Sequence, residues 1–373
     1  MCAASGGHEQ IVLTLLAHKA DIEKPDNNGW TPLMNACSNG HDHVARALIA
    51  AKAALDQTDK HGRTSLMVVA LNLQNGNRVL SYEFECHLEQ VTRVLIEAGA
   101  DLNLADDLGY TALILACWRG GLYIALALIE AGARVDQASE DGWTALMMSA
   151  KYGRYHTARA LIDAGADLNL ADGHGNTALI LACLRGNLWK NESIALALIE
   201  AGARVDQAKE DGCTALTVSS HYGHVYLARK LLEAGANPNL ADGNDDTPLM
   251  ICCNIWSNEK IALALIEAKA RVDQAKEDGY TALMISAYRG HYQVARALIK
   301  AGARVDQAKE DGCTALMISA QRGHYQVARA LIEIGADVEK KLENEWTALS
   351  LARLYGHRAC VTALLNAGAF PCD

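Results

Sequence analysis

A period of 33 residues dominates this chain and restricts it to folds built by stacking copies of one repeat. Residues 276–299 read KEDGYTALMISAYRGHYQVARALI, and residues 309–332 read KEDGCTALMISAQRGHYQVARALI. The two copies differ only where Tyr280 is replaced by Cys313 and where Tyr288 is replaced by Gln321. A chain with such a period buries each repeat against its neighbours rather than in one central core.

The same pattern, D/K-x-x-G-x-T-A/P-L with some departures, recurs along the whole chain. Full repeats start at residues 26, 59, 106, 139, 172, 209, 242, 276, 309 and 342, and a partial repeat occupies residues 1–25. Most intervals are 33 residues, but those from Asp59, Asp172 and Asp242 are 47, 37 and 34 residues. Most of the extra length after Asp59 lies in an insertion at residues 71–89. The pattern therefore predicts one repeat domain over residues 1–373.

Each repeat predicts two short helices followed by a hairpin-like turn. In the copy at 276, Thr281 precedes the apolar run ALMISA and is a good helix N-cap, while Gly290 suits a helix C-cap. The second helix has Val294, Ala295, Leu298 and Ile299 on one face, and ends at Gly302. Helices of about 8–10 residues are marginal alone in water. They must therefore be stabilised by stacking on the next repeat.

Composition favours a close-packed helical protein in a reducing compartment. Apolar residues make up 50% of the chain but aromatic residues only 5%, so Ala and Leu supply most of the core. The net charge of −10 argues against a general nucleic-acid or membrane surface. No apolar run reaches the length of a membrane span, and the N-terminus lacks the features of a signal peptide. Four of the 11 cysteines, Cys37, Cys117, Cys183 and Cys253, recur within the helical pattern. They are interpreted as small buried hydrophobes, which predicts a cytoplasmic or nuclear location.

Motifs that would carry enzyme chemistry are weak. GHGNTA at 173–178 loosely matches a nucleotide-binding fingerprint, but it has no preceding buried strand. DGNDDT at 242–247 lacks the Gly and Glu of a calcium loop, and no His/Cys cluster has metal-ligand spacing. No nucleophile and base recur in a pocket-like context. We expect no catalytic residues, no cofactor and no metal.

The repeats resemble ankyrin repeats, whose pattern is D-x-x-G-x-T-P-L-H-x-A-A-x-x-G-H, then a second helix, then G-A-D-x-N. The first full repeat, DNNGWTPLMNACSNGHDHVARALIAAKAALD, follows that pattern closely. The resemblance implies an all-α ankyrin-repeat solenoid with short hairpin loops, acting as a non-enzymatic adaptor or scaffold that binds a protein partner. The His of T-P-L-H is absent throughout, so we expect apolar contact to replace its hydrogen bond between repeats.

The resemblance also implies where a partner docks, because hairpin tips and first helices line the concave face of ankyrin stacks. Counting from the first residue of each repeat, positions 2, 3, 5, 13 and 14 face that side. Ten of the 20 aromatic residues lie at positions 5, 13 or 14. The predicted partner-binding residues are Trp30, Arg63, Tyr110, Trp118, Arg119, Trp143, Tyr152, Tyr222, Tyr280, Tyr288, Arg289, Trp346 and Tyr355. Alternatively, these rings pack on one another and the chain is a passive structural spacer, or a fragment of a larger multidomain protein.

Three further features remain open at this stage. The insertion at 71–89, with Tyr82 and Phe84, is either a local cap or a partner-binding finger. A row with alternating charge is either a solvated surface or a set of pairs that fix register; it comprises Asp101, Arg134, Asp167, Arg204, Asn237, Arg271, Arg304 and Asp337. Finally, ankyrin repeats resemble substrates of asparaginyl hydroxylases, with the Asn at the end of G-A-D-x-N. Asn103, Asn169 and Asn239 lie at this position.

Overall fold

The computed structural model describes residues 1–72, 82–184, 188–255 and 258–370. Over these residues the chain forms 22 helices and no strand, apart from four isolated bridges at hairpin turns such as Ala105 with Thr111. The predicted all-α solenoid class is therefore confirmed. Contacts divide the chain into two compact units, Met1–Arg204 and Val205–Asp373.

The first unit is a series of helix pairs in which each repeat supplies a first and a second helix. Its first helices are α1 (Cys2–Ser5), α3 (Pro32–Ser38), α5 (Ser65–Leu71), α7 (Ala112–Arg119), α9 (Ala145–Lys151) and α11 (Ala178–Cys183). Its second helices are α2 (Glu9–Ala17), α4 (Asp42–Ala50), α6 (Tyr82–Glu97), α8 (Leu122–Glu130), α10 (Tyr155–Asp163) and α12 (Leu188–Glu200). First helices pack on neighbouring first helices, and second on second, which is the serial packing of a solenoid.

The second unit repeats this arrangement. Its first helices are α13 (Ala215–Tyr222), α15 (Pro248–Asn254), α17 (Ala282–Arg289), α19 (Ala315–Arg322) and α21 (Ala348–Leu354). Its second helices are α14 (Val225–Glu233), α16 (Glu259–Glu267), α18 (Tyr292–Lys300), α20 (Tyr325–Glu333) and α22 (Arg358–Asn366). Here too, each helix contacts its own pair partner and its counterpart in the next repeat.

A buried threonine starts every first helix from α3 onward, as predicted. Thr281 Oγ1 accepts a hydrogen bond from the N–H of Met284 at 3.4 Å, and the same contact recurs at each counterpart. The capping residues are Thr31, Thr64, Thr111, Thr144, Thr177, Thr214, Thr247, Thr281, Thr314 and Thr347. The C-cap prediction is confirmed as well, because Gly290 ends α17 with φ 76°, a left-handed conformation that suits glycine.

The core lies between the two layers of helices and consists mainly of Ala and Leu. In α18, Val294, Ala295 and Leu298 are buried as predicted, with at most 1% of their surface exposed. Ile299 is only half-buried, because it lies at the border of this apolar stripe. First helices are buried more completely than second helices. The neighbouring first helices cover them on two sides, and the second helix of the same repeat covers a third side.

The register between repeats is set by a side-chain acceptor near the end of each repeat. Asn103 Oδ1 accepts the backbone N–H of Arg134 at 2.8 Å, and Asp136 Oδ1 accepts that of Asp167 at 2.8 Å. The same bond recurs in the second unit, where Asp306 Oδ1 accepts the N–H of Asp337 at 2.9 Å. Asn169 and Asn239 are acceptors of this kind as well, so the amide oxygens of all three asparagines singled out above are engaged.

The alternating charged row is not what fixes this register. Within the described chain, Arg304 is the row member with a side-chain ion pair, at 3.2 Å from its Nε to Asp273 Oδ2. Asp273 lies outside the row and also accepts the backbone N–H of Arg304 at 2.7 Å. The contact with the preceding repeat is made by the backbone N–H of each row residue. The charge of the side chain at this position can therefore be positive or negative.

Histidines of the Gly-His pairs add a second bond between repeats. His324 Nε2 lies 3.0 Å from the carbonyl oxygen of Tyr288, and His357 Nε2 lies 3.0 Å from that of Gln321. A carbonyl partner requires that the ring nitrogen donates. At the position of the missing T-P-L-H histidine, Met34, Met284 and Met317 are buried, as the expected apolar contact requires, and the Gly-His histidines add polar bonds between repeats.

The cysteine prediction is confirmed for all four residues. Cys37, Cys117, Cys183 and Cys253 are fully buried and form no disulfide. Burial raises the pKa of the Cys117 thiol to about 12, and the pKa of Cys253 rises to about 12 for the same reason. These thiols therefore stay protonated and act as small apolar side chains.

Candidate functional site

The hairpin turn and the end of the first helix bring positions 5 and 13 of a repeat together. Asp106 Oδ1 accepts the N–H groups of Leu108 at 3.0 Å and Tyr110 at 2.8 Å, which closes the turn. Thr111 then starts α7, and Trp118 lies near the end of that helix. The ring centroids of Tyr110 and Trp118 lie 6.5 Å apart, and their planes are inclined by 29°. The fold thus stacks two side chains that are eight residues apart in sequence.

A groove of about 670 Å³ opens beside this pair in the first unit. Six of the predicted partner-binding residues line it: Arg63, Tyr110, Trp118, Arg119, Trp143 and Tyr152. Its apolar lining includes Leu108, Leu115 and Met148, and its further charged lining includes Lys151 and Asp107. We refer to it as the aromatic groove. Its volume falls within the range typical of ligand sites, and it is broad and open enough for a peptide segment.

Cations lie over the rings of the aromatic groove. The Arg119 guanidinium carbon lies 4.3 Å from the centroid of the Trp118 ring. Lys151 Nζ lies 4.4 Å from the Trp143 ring and 5.8 Å from the Tyr152 ring. Each such contact is worth about 0.5–1 kcal/mol at an exposed site. The contacts hold long, flexible side chains in fixed positions at the ends of α7 and α9.

The phenol of Tyr110 lies in a partly buried and negatively charged setting. Burial raises the pKa of Tyr110, and the nearby carboxylates of Asp141 and Asp106 raise it further. The hydroxyl therefore stays protonated across the physiological range and can donate a hydrogen bond. Tyr152 at the other side of the groove has 41% of its surface exposed, so it is available for contact.

Arg63 lines the groove but is already paired. Its Nη2 lies 2.7 Å from Asp59 Oδ2, and its Nε donates to the same oxygen at 2.9 Å. Trp30 Nε1 also donates to Asp59 Oδ2, at 3.2 Å. Burial raises the pKa of Asp59, but the side chain of Arg63 and the backbone N–H groups of Arg63 and His61 outweigh burial, so the pKa is lowered. A partner role for Arg63 and Trp30 stays a prediction, and both side chains have a structural role here.

The second unit presents a similar arrangement of rings and cations around α17. Lys309 Nζ lies 4.4 Å from the centroid of the Tyr280 ring. The guanidinium carbon of Arg322 lies 3.9 Å from the Tyr288 ring, and that of Arg289 lies 5.6 Å from it. Arg289 Nε also donates to Asn254 Oδ1 at 2.8 Å. Tyr288 is more than a third exposed.

The remaining predicted residues of the second unit are more scattered. Tyr222 lies edge-on against His221, with 5.1 Å between ring centroids. Tyr355 is half exposed, stacks on His357 at 6.5 Å and accepts a hydrogen bond from Gln321 at 3.3 Å. Trp346 is half-buried. None of these three lines the aromatic groove, which belongs to the first unit.

The insertion is only partly described. Residues 73–81 and the side chain of Tyr82 lie outside the described residues. Phe84 is half-buried in α6 and faces Gly40, since a Cβ added to Gly40 would lie 3.6 Å from Phe84 Cε2. Phe84 therefore packs against the loop between α3 and α4, away from the aromatic groove. Whether the insertion binds a partner stays a prediction.

Comparison with known proteins identifies the family. The model for "Ankyrin repeats (3 copies)" matches residues 1–89, 127–209, 171–242, 188–276, 230–309, 249–341 and 302–373, and the model for a single "Ankyrin repeat" matches residues 108–140. The chain belongs to the ankyrin repeat family. A human protein, neurogenic locus notch homolog protein 4, is 39% identical over 70 residues, or 19% of this chain and 4% of that protein. The matched segment is thus a small part of that larger protein.

Several contacts of this ankyrin stack were not predicted from its sequence. Lys151 lies over the Trp143 ring and Lys309 over the Tyr280 ring, although neither lysine is among the predicted binding residues. The signal for Lys309 was its place at position 1, where most other repeats have Asp. Arg154 replaces the histidine of a Gly-His pair, and its Nη2 donates to the carbonyl oxygen of Arg119 at 3.3 Å. Its sequence signal was the departure from Gly-His at 153–154.

Two further features concern metal binding and membrane insertion within the residues that the structure describes. Within those residues, no group of three or more His, Cys, Asp or Glu side chains is placed to bind a metal ion. No helix in the same residues combines the length and apolarity needed to cross a membrane. Ankyrin repeats are typically non-enzymatic and generally mediate protein–protein interaction.

Proposed function

We propose that this ankyrin chain is an adaptor or scaffold that binds a protein partner along its hairpin tips and first helices, the side that is concave in ankyrin stacks. The principal contact is the aromatic groove. The observation that carries the proposal is its lining, where Trp118, Trp143 and Tyr152 surround about 670 Å³ of open space. A monomer gains little from keeping large rings at such a surface.

The residue types in the groove are those that contribute most to binding free energy. Trp, Tyr and Arg are enriched among interface residues whose truncation costs 2 kcal/mol or more, typically near the centre of the interface. Trp118 and Trp143 are half-buried in the free protein. Their rings are therefore already positioned by Arg119 and Lys151, and a partner would bury the remaining surface at a small cost in side-chain entropy.

Variation between near-identical repeats supports the same surface. The copies at 276 and 309 share 22 of 24 residues and differ at positions 5 and 13. Tyr280 and Tyr288 both carry a cation over the ring, whereas Cys313 and Gln321 present no ring. The repeats thus keep their packing residues and change the residues that a partner would contact.

The proposal is tested by removing rings from the groove and not from elsewhere. A Trp118→Ala/Trp143→Ala/Tyr152→Ala variant is compared with wild type in quantitative affinity capture from cells that express the chain. Tyr123→Ala/Tyr226→Ala is the matched control, since both tyrosines are exposed on second helices. For a purified partner, we expect the groove variant to raise the Kd by roughly a hundredfold or more, and the control to bind as wild type.

Protection from hydrogen exchange locates the contact independently. Partner binding is expected to slow exchange around residues 106–119 and 139–152. Equal capture by the groove variant and wild type, or protection confined to residues near the 71–89 insertion, would contradict the proposed site.

A passive structural spacer is the second candidate, and the internal contacts of the rings favour it. Tyr110 stacks on Trp118, and Trp143 holds Lys151, without any partner. If the rings serve stiffness alone, the groove variant loses several degrees of Tm and captures the same proteins as wild type. The adaptor proposal expects the opposite result, with a Tm close to wild type and the partner lost.

The proposed setting is intracellular, either cytoplasmic or nuclear. None of the described cysteines forms a disulfide, and six of them are buried, as suits a reducing compartment. The net charge of −10 disfavours nucleic acid as the partner. Localisation of the tagged chain by fluorescence microscopy, without fixation, checks the compartment.

A further inference from the structure

Negative charge is distributed very unevenly in this chain. The net charge is −10, yet none of the ten first helices from α3 to α21 contains Asp or Glu. Their charged residues are all basic, such as Arg119, Lys151, Arg289 and Arg322. The carboxylates lie instead on the hairpin tips and second helices. The surface formed by first-helix ends is therefore cationic on an otherwise acidic protein.

The cations at these helix ends have rings for neighbours rather than carboxylates. Arg119 lies over Trp118, Lys151 over Trp143, and Arg322 over Tyr288, and within the described chain none of the three forms an ion pair. Arg119 Nε is moreover buried and has no hydrogen-bond acceptor. No acceptor within the described chain therefore competes for this guanidinium at its Nε.

Lysines at the hairpin tips provide the contrast. Lys276 Nζ lies 2.9 Å from Asp246 Oδ2, and Lys309 Nζ lies 3.3 Å from Asp311 Oδ2. Lys209 is paired with Asp211 in the same way. Cations at the tips are thus neutralised within the chain, whereas those at the helix ends of the aromatic groove are not.

The acids that line the groove lie on a hairpin tip and not on the helices that carry these cations. Asp106 is committed to the N–H groups of Leu108 and Tyr110, and Asp107 lies on the same hairpin tip. The groove therefore has an acidic border along the tips and a basic border along the ends of α7 and α9. Trp118 lies at the end of α7 beside Arg119, and Trp143 lies in the hairpin turn before α9 with Lys151 over its ring.

We propose that the aromatic groove binds an extended acidic segment of a partner protein, with side-chain carboxylates on Arg119 and Lys151 and an apolar side chain between Trp118 and Trp143. The inference rests on the proposed function and adds the chemistry of the partner. Carboxylates form short, charge-assisted hydrogen bonds with guanidinium and ammonium groups. Because the rings already hold both cations in place, little side-chain entropy is lost when the pairs form.

The experiment is a selection of short random linear peptides on the purified full chain. The N- and C-termini of each peptide are chemically blocked or joined to the display carrier, so that the only free carboxylates of the peptide are those of Asp and Glu side chains. Selected peptides are then measured against wild type and Arg119→Gln/Lys151→Gln. The control is Arg93→Gln/Arg159→Gln, which removes the same charge from the exposed second helices α6 and α10 of the same unit. Trp118→Ala/Trp143→Ala shows which peptides bind in the groove.

The expected result is a set of groove-dependent peptides enriched in Asp and Glu. Their Kd should rise by roughly tenfold or more in Arg119→Gln/Lys151→Gln, and less than about twofold in the control. Replacing their Asp and Glu by Asn and Gln should weaken binding to wild type to a similar extent. Raising the salt concentration should weaken wild type more than the Gln variant.

Other outcomes separate the two proposals. Groove-dependent peptides that lack enrichment in acids, or that bind Arg119→Gln/Lys151→Gln as tightly as wild type, would overturn the acidic-segment inference and leave the protein-binding function standing. Peptides that bind Trp118→Ala/Trp143→Ala unchanged, or no selected peptide at all, would overturn both. Circular dichroism of every variant confirms that losses do not arise from unfolding.

Discussion

At the scale of single residues, Asp59 makes the densest set of polar contacts near the aromatic groove. Its side chain is fully buried and accepts bonds from Trp30 Nε1, from Arg63 Nε and from two backbone N–H groups. It thereby closes one hairpin turn and links it to the ring of the preceding repeat. Arg63 fits the partner-binding pattern in the sequence, but its side chain is held within the fold by its bonds to Asp59.

Asp59→Asn should lower the free energy of unfolding at pH 7 by about 1–3 kcal/mol, because charge-assisted bonds to Arg63 become neutral ones. The pKa of Asp59 is lowered from 3.8 in the folded state, so its stabilising effect is complete above pH 3.8. That effect is lost as the pH falls through the folded-state pKa. The gap between wild type and variant should therefore narrow at acid pH.

Urea denaturation at pH 7, 5 and 3 measures this gap. Asp163→Asn is the control, since Asp163 is exposed and pairs with Arg159 on the surface, and it should change stability little at any of these pH values. A gap for Asp59→Asn that is constant with pH would show that the carboxylate charge is not what matters.

At the scale of elements, each repeat is joined to the next by a short series of polar bonds. The acceptor at the repeat end, Asn103 in one case, receives a backbone N–H of the following repeat, and its own carbonyl oxygen accepts Gln137 Nε2 at 2.9 Å. Asp takes the same place in other repeats, such as Asp136. The geometry needs a side-chain oxygen as the acceptor at this point, neutral as in Asn103 or negatively charged as in Asp136 and Glu339.

Asn103→Ala should destabilise the first unit by about 1–2 kcal/mol, because the N–H of Arg134 loses its acceptor. Asn103→Asp should be close to neutral, since Asp136 makes the same bond to the next repeat. Thermal melts followed by circular dichroism, with both variants run beside wild type, provide the comparison. Equal losses for Ala and Asp would mean that the amide group itself is required.

How far the sequence predicts these elements depends on whether the contact is local. The Thr caps and the Gly290 C-cap follow from residues three or four positions apart, and both predictions are confirmed. The stacking of Arg322 on Tyr288 joins residues from neighbouring repeats, and nothing in the local pattern indicates it. In the charged row the sequence pattern is clear but misleading. The alternation of Asp and Arg suggests ion pairs between side chains, whereas the contact with the preceding repeat is made by the backbone N–H of each row residue.

At the scale of the whole molecule, the sequence predicts the repeats and the solenoid class but not the groove. The rings of Trp118 and Trp143 were predicted as a surface. Their enclosure of open space depends on how far Tyr152 and Arg63 lie from them, which is a property of packing. The division into Met1–Arg204 and Val205–Asp373 was not predicted either, because the period continues across it without a break in pattern.

Deleting residues 309–341, one full repeat of the second unit, should leave a folded protein. The shortened chain would place Asp306 where Glu339 now accepts the N–H of Phe370, and Tyr288 where Gln321 now accepts His357. Both of these bonds across the new junction therefore keep a donor and an acceptor of the same kind. Helical content per residue should be unchanged by circular dichroism, whereas a molten or aggregated product would contradict equivalence of the junctions.

The uniform bonds between repeats also affect how a partner would measure this chain. If repeats can be removed or added without a new interface, the separation between two contact points within one unit changes only in whole repeats. A partner that touches Tyr288 and Tyr355 at once would accept one repeat number and reject its neighbours. Natural selection on the spacing between two contact points would therefore act on the number of repeats more than on the sequence of any one repeat.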